Sequence, residues 1–208
     1  MISESHYYRR ELKNIAKYLK DVRLGPQLDE TSRKYFKFER GVFVGAFIVR
    51  KMLESEKLSS RGLGDLKVKV YRNVVGKANK YELRHSDETF DFENPKRARK
   101  SVQFVCNQLI HSRVFYYVTG KTNVALAMIF GSDETISKEI YEISKRDLVN
   151  LFLRVAKDKP NYIHSMIHPK TERDIVQRFR VKNKTERAIA EKKVSRLMSK
   201  HWRPAPKT

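Results

Sequence analysis

At 208 residues, with 40% hydrophobic and 11% aromatic residues, the chain is long enough to bury a core and too apolar for global disorder. Its 45 Lys and Arg against 24 Asp and Glu give a net charge of +21, which self-repels and is most commonly matched by a polyanion, above all nucleic acid. No apolar run approaches the roughly 18 residues of a spanning helix, no secretory leader is read, and a single Cys excludes an internal disulfide framework, so the expected location is cytoplasmic.

From Ser3 to about Val22, Tyr8, Leu12, Ile15, Leu19 and Val22 keep a helical period, with Arg9, Arg10, Lys13, Lys17 and Lys20 as a basic outer face, until Gly25-Pro26 stops the helix. A second helix is predicted from about Ser32 to Ser55 on the stripe Tyr35, Phe38, Val42, Ala46, Val49 and Leu53. Gly41 and Gly45, one turn apart, would let a neighbour approach closely in the core. The period then changes. Leu66, Val68 and Val70 alternate with Lys67, Lys69 and Tyr71, and Lys80 to Arg84 and Thr89 to Phe92 read as short extended pieces around a turn at Asn73 to Asn79. His85, in a loop beside Asp87, reads as incidental.

Asn94-Pro95 predicts a helix start, because Asn caps well and the missing N–H of Pro has no partner at the first helical position. Ala98, Val102, Val105 and Leu109 then form a core-facing stripe, and Asn107 and His111 stand one turn apart beside it. Val114 to Val118, Val124 to Phe130 and Glu139 to Ile143 read as strands, with Tyr116 and Tyr117 as candidate base-stacking aromatics. Ser144-Lys145-Arg146-Asp147 caps a short helix carrying Leu148, Leu151, Phe152 and Val155.

From Pro169 to Thr208 the chain has seven Lys and six Arg against three Glu and one Asp. Helices are predicted at Glu172 to Arg180 and Thr185 to Lys200. Arg178, Arg180, Lys182, Lys184, Arg187, Lys192, Lys193, Arg196 and Lys200 form a basic arm, which with Arg97, Arg99 and Lys100 supplies the candidate nucleic-acid contacts. Trp202 and the proline-containing tail follow. His164 and His168 have the spacing of two metal ligands on a helix but lack a third, and Gly62-Leu63-Gly64 lacks the Lys of a phosphate loop, so no metal or cofactor is expected. Cys106 reads as a buried, inert thiol. These elements predict a mainly α protein of α+β class, a helical bundle with one or two small antiparallel β elements, as a core over residues 1–158 and a basic helical C-terminal extension over 159–208.

Cys106-Asn107-Gln108-Leu109-Ile110-His111 resembles the Arg-Asn-x-x-x-His signature of HEPN domains. The resemblance implies a helical bundle that often dimerises, metal-independent ribonuclease activity, and catalytic roles for His111 and Asn107. Its departure is Cys106, which stands where active members carry the Arg that holds the scissile phosphate; Arg113 reaches His111 only if the helix ends and swings it back, and Arg97 and Arg99 lie about three turns away. An imidazole can act as base or acid toward a 2′-OH or its leaving oxygen at neutral pH. Two functions follow: an RNA-directed HEPN-like protein, with ribonuclease action of a defence or toxin system, and a non-catalytic nucleic-acid-binding subunit of a ribonucleoprotein or mobile-element complex. A protein of anionic membrane surfaces is a third and weaker reading.

Overall fold

The computed structural model describes residues 5–24, 33–59, 63–76, 86–120, 124–167, 171 and 174–201. The chain divides into two units, Met1–Ser55 with Leu63–Lys157, and Glu56–Gly62 with Asp158–Thr208. In chain order the first contains α1 (Ser5–Asp21), α2 (Arg33–Glu54), β1 (Asp65–Arg72), α3 (Ser86–Thr89), β2 (Lys96–Ser101), α4 (Val102–Ile110), β3 (Ser112–Thr119), β4 (Ala125–Ser132), β5 (Glu139–Ser144) and α5 (Lys145–Lys157). The second contains β6 (Tyr162–Ile167), β7 (Asp174–Phe179) and α6 (Lys184–His201). The Gly25-Pro26 stop, the extended piece from Lys80 to Arg84, His85, Gly62, His168 and the segment from Trp202 onward lie outside the described residues.

The amphipathic stripes of α1 and α5 meet: Leu12, Ile15, Ala16 and Leu19 are buried on the first, and Leu148, Leu151, Phe152 and Val155 on the second. Arg9 departs from the basic outer face expected of α1. It is 5% exposed, and its Nη1 donates to the Val155 carbonyl at 2.8 Å, so a cation satisfies an orphan acceptor in the last turn of α5, where the helix dipole favours positive charge. Helix α2 packs on α1 and α4. The Ser144 hydroxyl caps α5 by accepting from the Asp147 N–H at 3.0 Å.

The five strands of the first unit form one antiparallel sheet in the order β2-β1-β5-β4-β3. One face meets the helices, with Phe115 against Phe43 and Tyr117 against Tyr35 and Phe38 of α2, and Tyr141 against Phe104 of α4. Part of the opposite face is covered by a smaller core of Tyr71, Phe90, Val114, Ile129, Ile136 and Ile140. This α+β architecture overturns the expected mainly α helical bundle with one or two small β elements. The strand pattern identifies extended segments but not their long-range pairing, and β1 finds its second neighbour in β5 through Lys69↔Glu142 to Arg72↔Glu139. The helix expected from Pro95 is also corrected. Asn94 donates its backbone and side-chain N–H groups to Asp91, and Lys96–Ser101 pairs with β1. The helix begins only at Val102, where the Ser101 hydroxyl accepts from the Phe104 N–H at 3.1 Å.

In the second unit β6 and β7 form a hairpin. Asn161 clamps its base, donating to the Val181 carbonyl and accepting from the Val181 N–H, each at 2.8 Å. Ala190 and Val194 of α6 share a core with Phe179. Glu172 to Arg180, expected as helix, contributes β7 instead: Ile175 and Val176 are β-branched, and their short run pairs with Met166 and Ser165.

Gly45 of α2 sits under the Phe152 ring, where an added Cβ would lie 2.3 Å from Cε2, whereas at Gly41 the nearest atom is Leu19 Cδ2 at 3.5 Å. Gly45→Ala is therefore expected to destabilise by about 1–3 kcal/mol through overpacking, while Gly41→Ala is neutral or stabilising by up to about 1 kcal/mol through helix propensity. Urea unfolding of the two variants checks the contrast; equal effects would contradict this packing.

Candidate active site and basic surfaces

Helix α4 holds its apolar side, Val102, Val105, Cys106 and Leu109, in the core and so fixes where Asn107 and His111 stand. His111 closes the helix, donating its backbone N–H to the Asn107 carbonyl at 3.0 Å, and its side chain is exposed. The Asn107 Oδ1 atom is buried and has no hydrogen-bond partner among the described residues. Both residues line a pocket of about 480 Å³ with Arg50, Ser112, Asp133 and Glu134. Buried Gln108 fixes the far wall, its Oε1 accepting from the Ser132 N–H at 3.1 Å and the Thr135 hydroxyl at 2.8 Å.

A cation stands beside His111, and it comes from α2. Arg50 Nη1 lies 3.4 Å from His111 Nε2. A guanidinium has no acceptor, so this contact is a hydrogen bond only when Nε2 carries the lone pair and Nδ1 the proton. The same guanidinium bonds Glu54 through Nε at 2.6 Å, and with Lys51 it holds the Glu54 carboxyl below its ordinary range. Arg113 does not swing toward His111 but pairs with Asp133 at 3.0 Å. Arg50 lies off the apolar stripe that predicts α2, and its approach to His111 depends on how α2 packs against α4.

The other predicted contacts separate into two groups. Arg97 and Arg99 are exposed on β2, opposite Lys69 and Lys67 of β1. Neighbouring Lys100 turns to the other face, with its Nζ 5.0 Å and 5.2 Å from the ring centroids of Phe104 and Tyr141 and 3.5 Å from Glu139. In the second unit Arg180, Lys182, Lys184, Arg187, Lys192, Lys193 and Arg196 are exposed, Arg178 pairs with Glu56 at 2.7 Å, and Arg187 pairs with Glu191 at 3.0 Å. The Lys200 side chain lies outside the described residues. Lys67 and Lys69 were missed as contacts, although their alternation with Leu66, Val68 and Val70 already placed them on one face. Of the two tyrosines proposed for stacking, Tyr117 belongs to the helix-facing core and Tyr116 is exposed. His164 lies on a strand rather than a helix, and no metal-binding cluster occurs among the described residues.

Burial pushes the Cys106 thiol up to about 12, against the opposing influence of Arg50. The folded value thus lies above the unfolded one of about 8.5, so this group's contribution to stability is intact below about pH 8.5 and declines as pH rises toward 12. Two results are expected: native protein resists iodoacetamide at about pH 8 until unfolded, and Cys106→Ala flattens the alkaline loss of stability. Rapid alkylation of native protein would contradict the burial.

No protein-family model, no curated protein and no solved structure matches the chain.

Proposed function

We propose that this chain is a nucleic-acid-binding protein directed at RNA, acting as a subunit of a larger nucleoprotein complex. The observation that carries the reading is the exposed side of α6. Lys184, Arg187, Lys192, Lys193 and Arg196 are all exposed there while Ala190 and Val194 are buried, and Glu186 and Glu191 offset only part of that charge. The +21 of the whole chain supports the same reading. Such cations contact phosphates with little sequence preference and release counterions on binding. The preference for RNA rests on the likeness of Cys106–His111 to the HEPN signature.

A second reading, metal-independent RNA cleavage, is favoured by the Arg50–His111 contact. His111 would take the 2′-OH proton as that oxygen attacks the adjacent phosphorus and the P–O5′ bond breaks, the leaving oxygen taking a proton from water, to give a cyclic phosphate and a 5′-hydroxyl, with Arg50 stabilising the charge on the phosphoryl oxygens. It stands second because the pocket is not net cationic: Asp133 and Glu134 also line it, and Arg50 is already shared with Glu54.

Filter binding of labelled single-stranded RNA across a salt series is expected to show a log–log slope steeper than about −2, and the triple variant Lys192→Glu/Lys193→Glu/Arg196→Glu to reduce its magnitude by about 2, near 0.7 per lost phosphate contact. Wild-type protein that fails to bind, or binds indifferently to salt, would contradict the proposal. In the same samples with EDTA, the second reading expects cleavage that His111→Ala lowers about 10²–10⁴-fold; intact RNA with the wild type removes that reading alone.

A further inference from the structure

One row of side chains crosses the sheet on the face opposite the helices. The register places Arg97 opposite Lys69, Lys69 opposite Glu142, Glu142 opposite Ile129 and Ile129 opposite Tyr116. Directly opposed residues of an antiparallel ladder share a face, and four strand spacings make this row about 19 Å long. Beside it on the same face Lys67 opposes Arg99, Ser144 opposes Ala127, and Ala127 opposes Val118. The buried core of Tyr71 and Ile140 reaches into the row at Ile129, which is 8% exposed, and Ala127 is buried beside it, so the exposed surface lies at the two ends: Lys67, Lys69, Arg97 and Arg99 at one, and Tyr116 at 38% and Val118 at 36% at the other.

The cation end is built against its own stability. Like charges directly opposite destabilise a ladder, and here two such pairs stand side by side. Among the described residues Lys67, Arg97 and Arg99 have no ion pair, and Lys69 is held by Glu142 at 2.9 Å. A pocket of about 500 Å³ lies over these residues, and the four cations of its lining exceed its two carboxylates, Glu142 and Asp147. A bound polyanion removes the repulsion. The other end of the row, Tyr116 and Val118, offers an apolar and aromatic surface that a duplex, with its bases stacked inside, has nothing to fill.

Resting on the nucleic-acid reading above, we infer that this face binds single-stranded nucleic acid laid across the strands, with phosphates on Lys67, Lys69, Arg97 and Arg99 and a base against Tyr116 and Val118. Glu142 competes with the incoming phosphate for Lys69. The site shares no residue with the His111 pocket.

Fluorescence anisotropy with a labelled oligouridylate of about 12 nucleotides tests it. Lys67→Glu turns the Lys67–Arg99 pair into one of opposite charge, so its melting temperature should hold or rise while affinity falls about tenfold or more, separating binding from folding. Glu142→Gln keeps an acceptor for the Tyr71 hydroxyl and should tighten binding several-fold, Tyr116→Ala should weaken it several-fold, and an RNA duplex of equal length should compete poorly. If the sheet variants bind like the wild type while the α6 reversal abolishes binding, this site falls and the general reading stands. Equal competition by duplex also overturns the inference. Absence of binding by the wild type overturns both.

Discussion

The alternation of β1 and β2 is the constraint on which the first unit depends. Leu66, Val68 and Val70 are buried, so period two sends Lys67 and Lys69 to the opposite face, and the pairing of Val68 with Ala98 brings Arg97 and Arg99 to face them. Slipping β1 by one residue would drive Lys67 and Lys69 beneath the helices, and slipping β2 would do the same to Arg97 and Arg99. Burying each of the three apolar side chains is worth about 1.5–3 kcal/mol, against about 0.2–1 kcal/mol for an opposed like-charge pair, so burial fixes the register and the repulsion is tolerated. The cationic face is thus a consequence of the same register that closes the core.

The rest of the unit is arranged around that sheet. Helices α2 and α4 cover the face that carries Tyr117, Phe115 and Tyr141, and the close approach of Phe152 to Gly45 seats α5 against α2. Because α4 is held by Val105, Cys106 and Leu109, its end delivers His111 to the side of Arg50. Part of the basic charge is gathered into two sets, one on the sheet face and another on α6, while the His111 pocket mixes a guanidinium with carboxylates and is poorly suited to attract phosphate unaided.

Local patterns made much of this legible. The stripes of α1, α2 and α5, the alternation in β1 and the apolar runs of β3–β5 are properties of contiguous residues, and the sequence carries them directly. What failed was decided at a distance or by a competing cap. Ala98 fits the helical spacing of Val102, Val105 and Leu109, yet it sits on β2, because β1 offers that segment a ladder and Ser101 caps the helix later than Asn94 promised. Ile175-Val176 goes to a hairpin because β6 is there to receive it. Arg9 reads as an outer cation but is drawn inward by a carbonyl of α5. The site shows the same division. Asn107 and His111 follow from one helix, whereas Arg50 comes from another, and the opposition of Lys67 to Arg99 exists only once register is set.

Chemical footprinting of lysines reads the occupation of the sheet face residue by residue. Native protein would be acetylated with and without a saturating single-stranded oligonucleotide, and each lysine read separately by mass spectrometry. Lys67 and Lys69 are exposed and should become protected, while Lys13 and Lys17 on the exposed side of α1 continue to react. Equal acetylation of Lys67 and Lys69 in the free and bound protein would contradict the account, because the register that exposes them would then serve no bound strand.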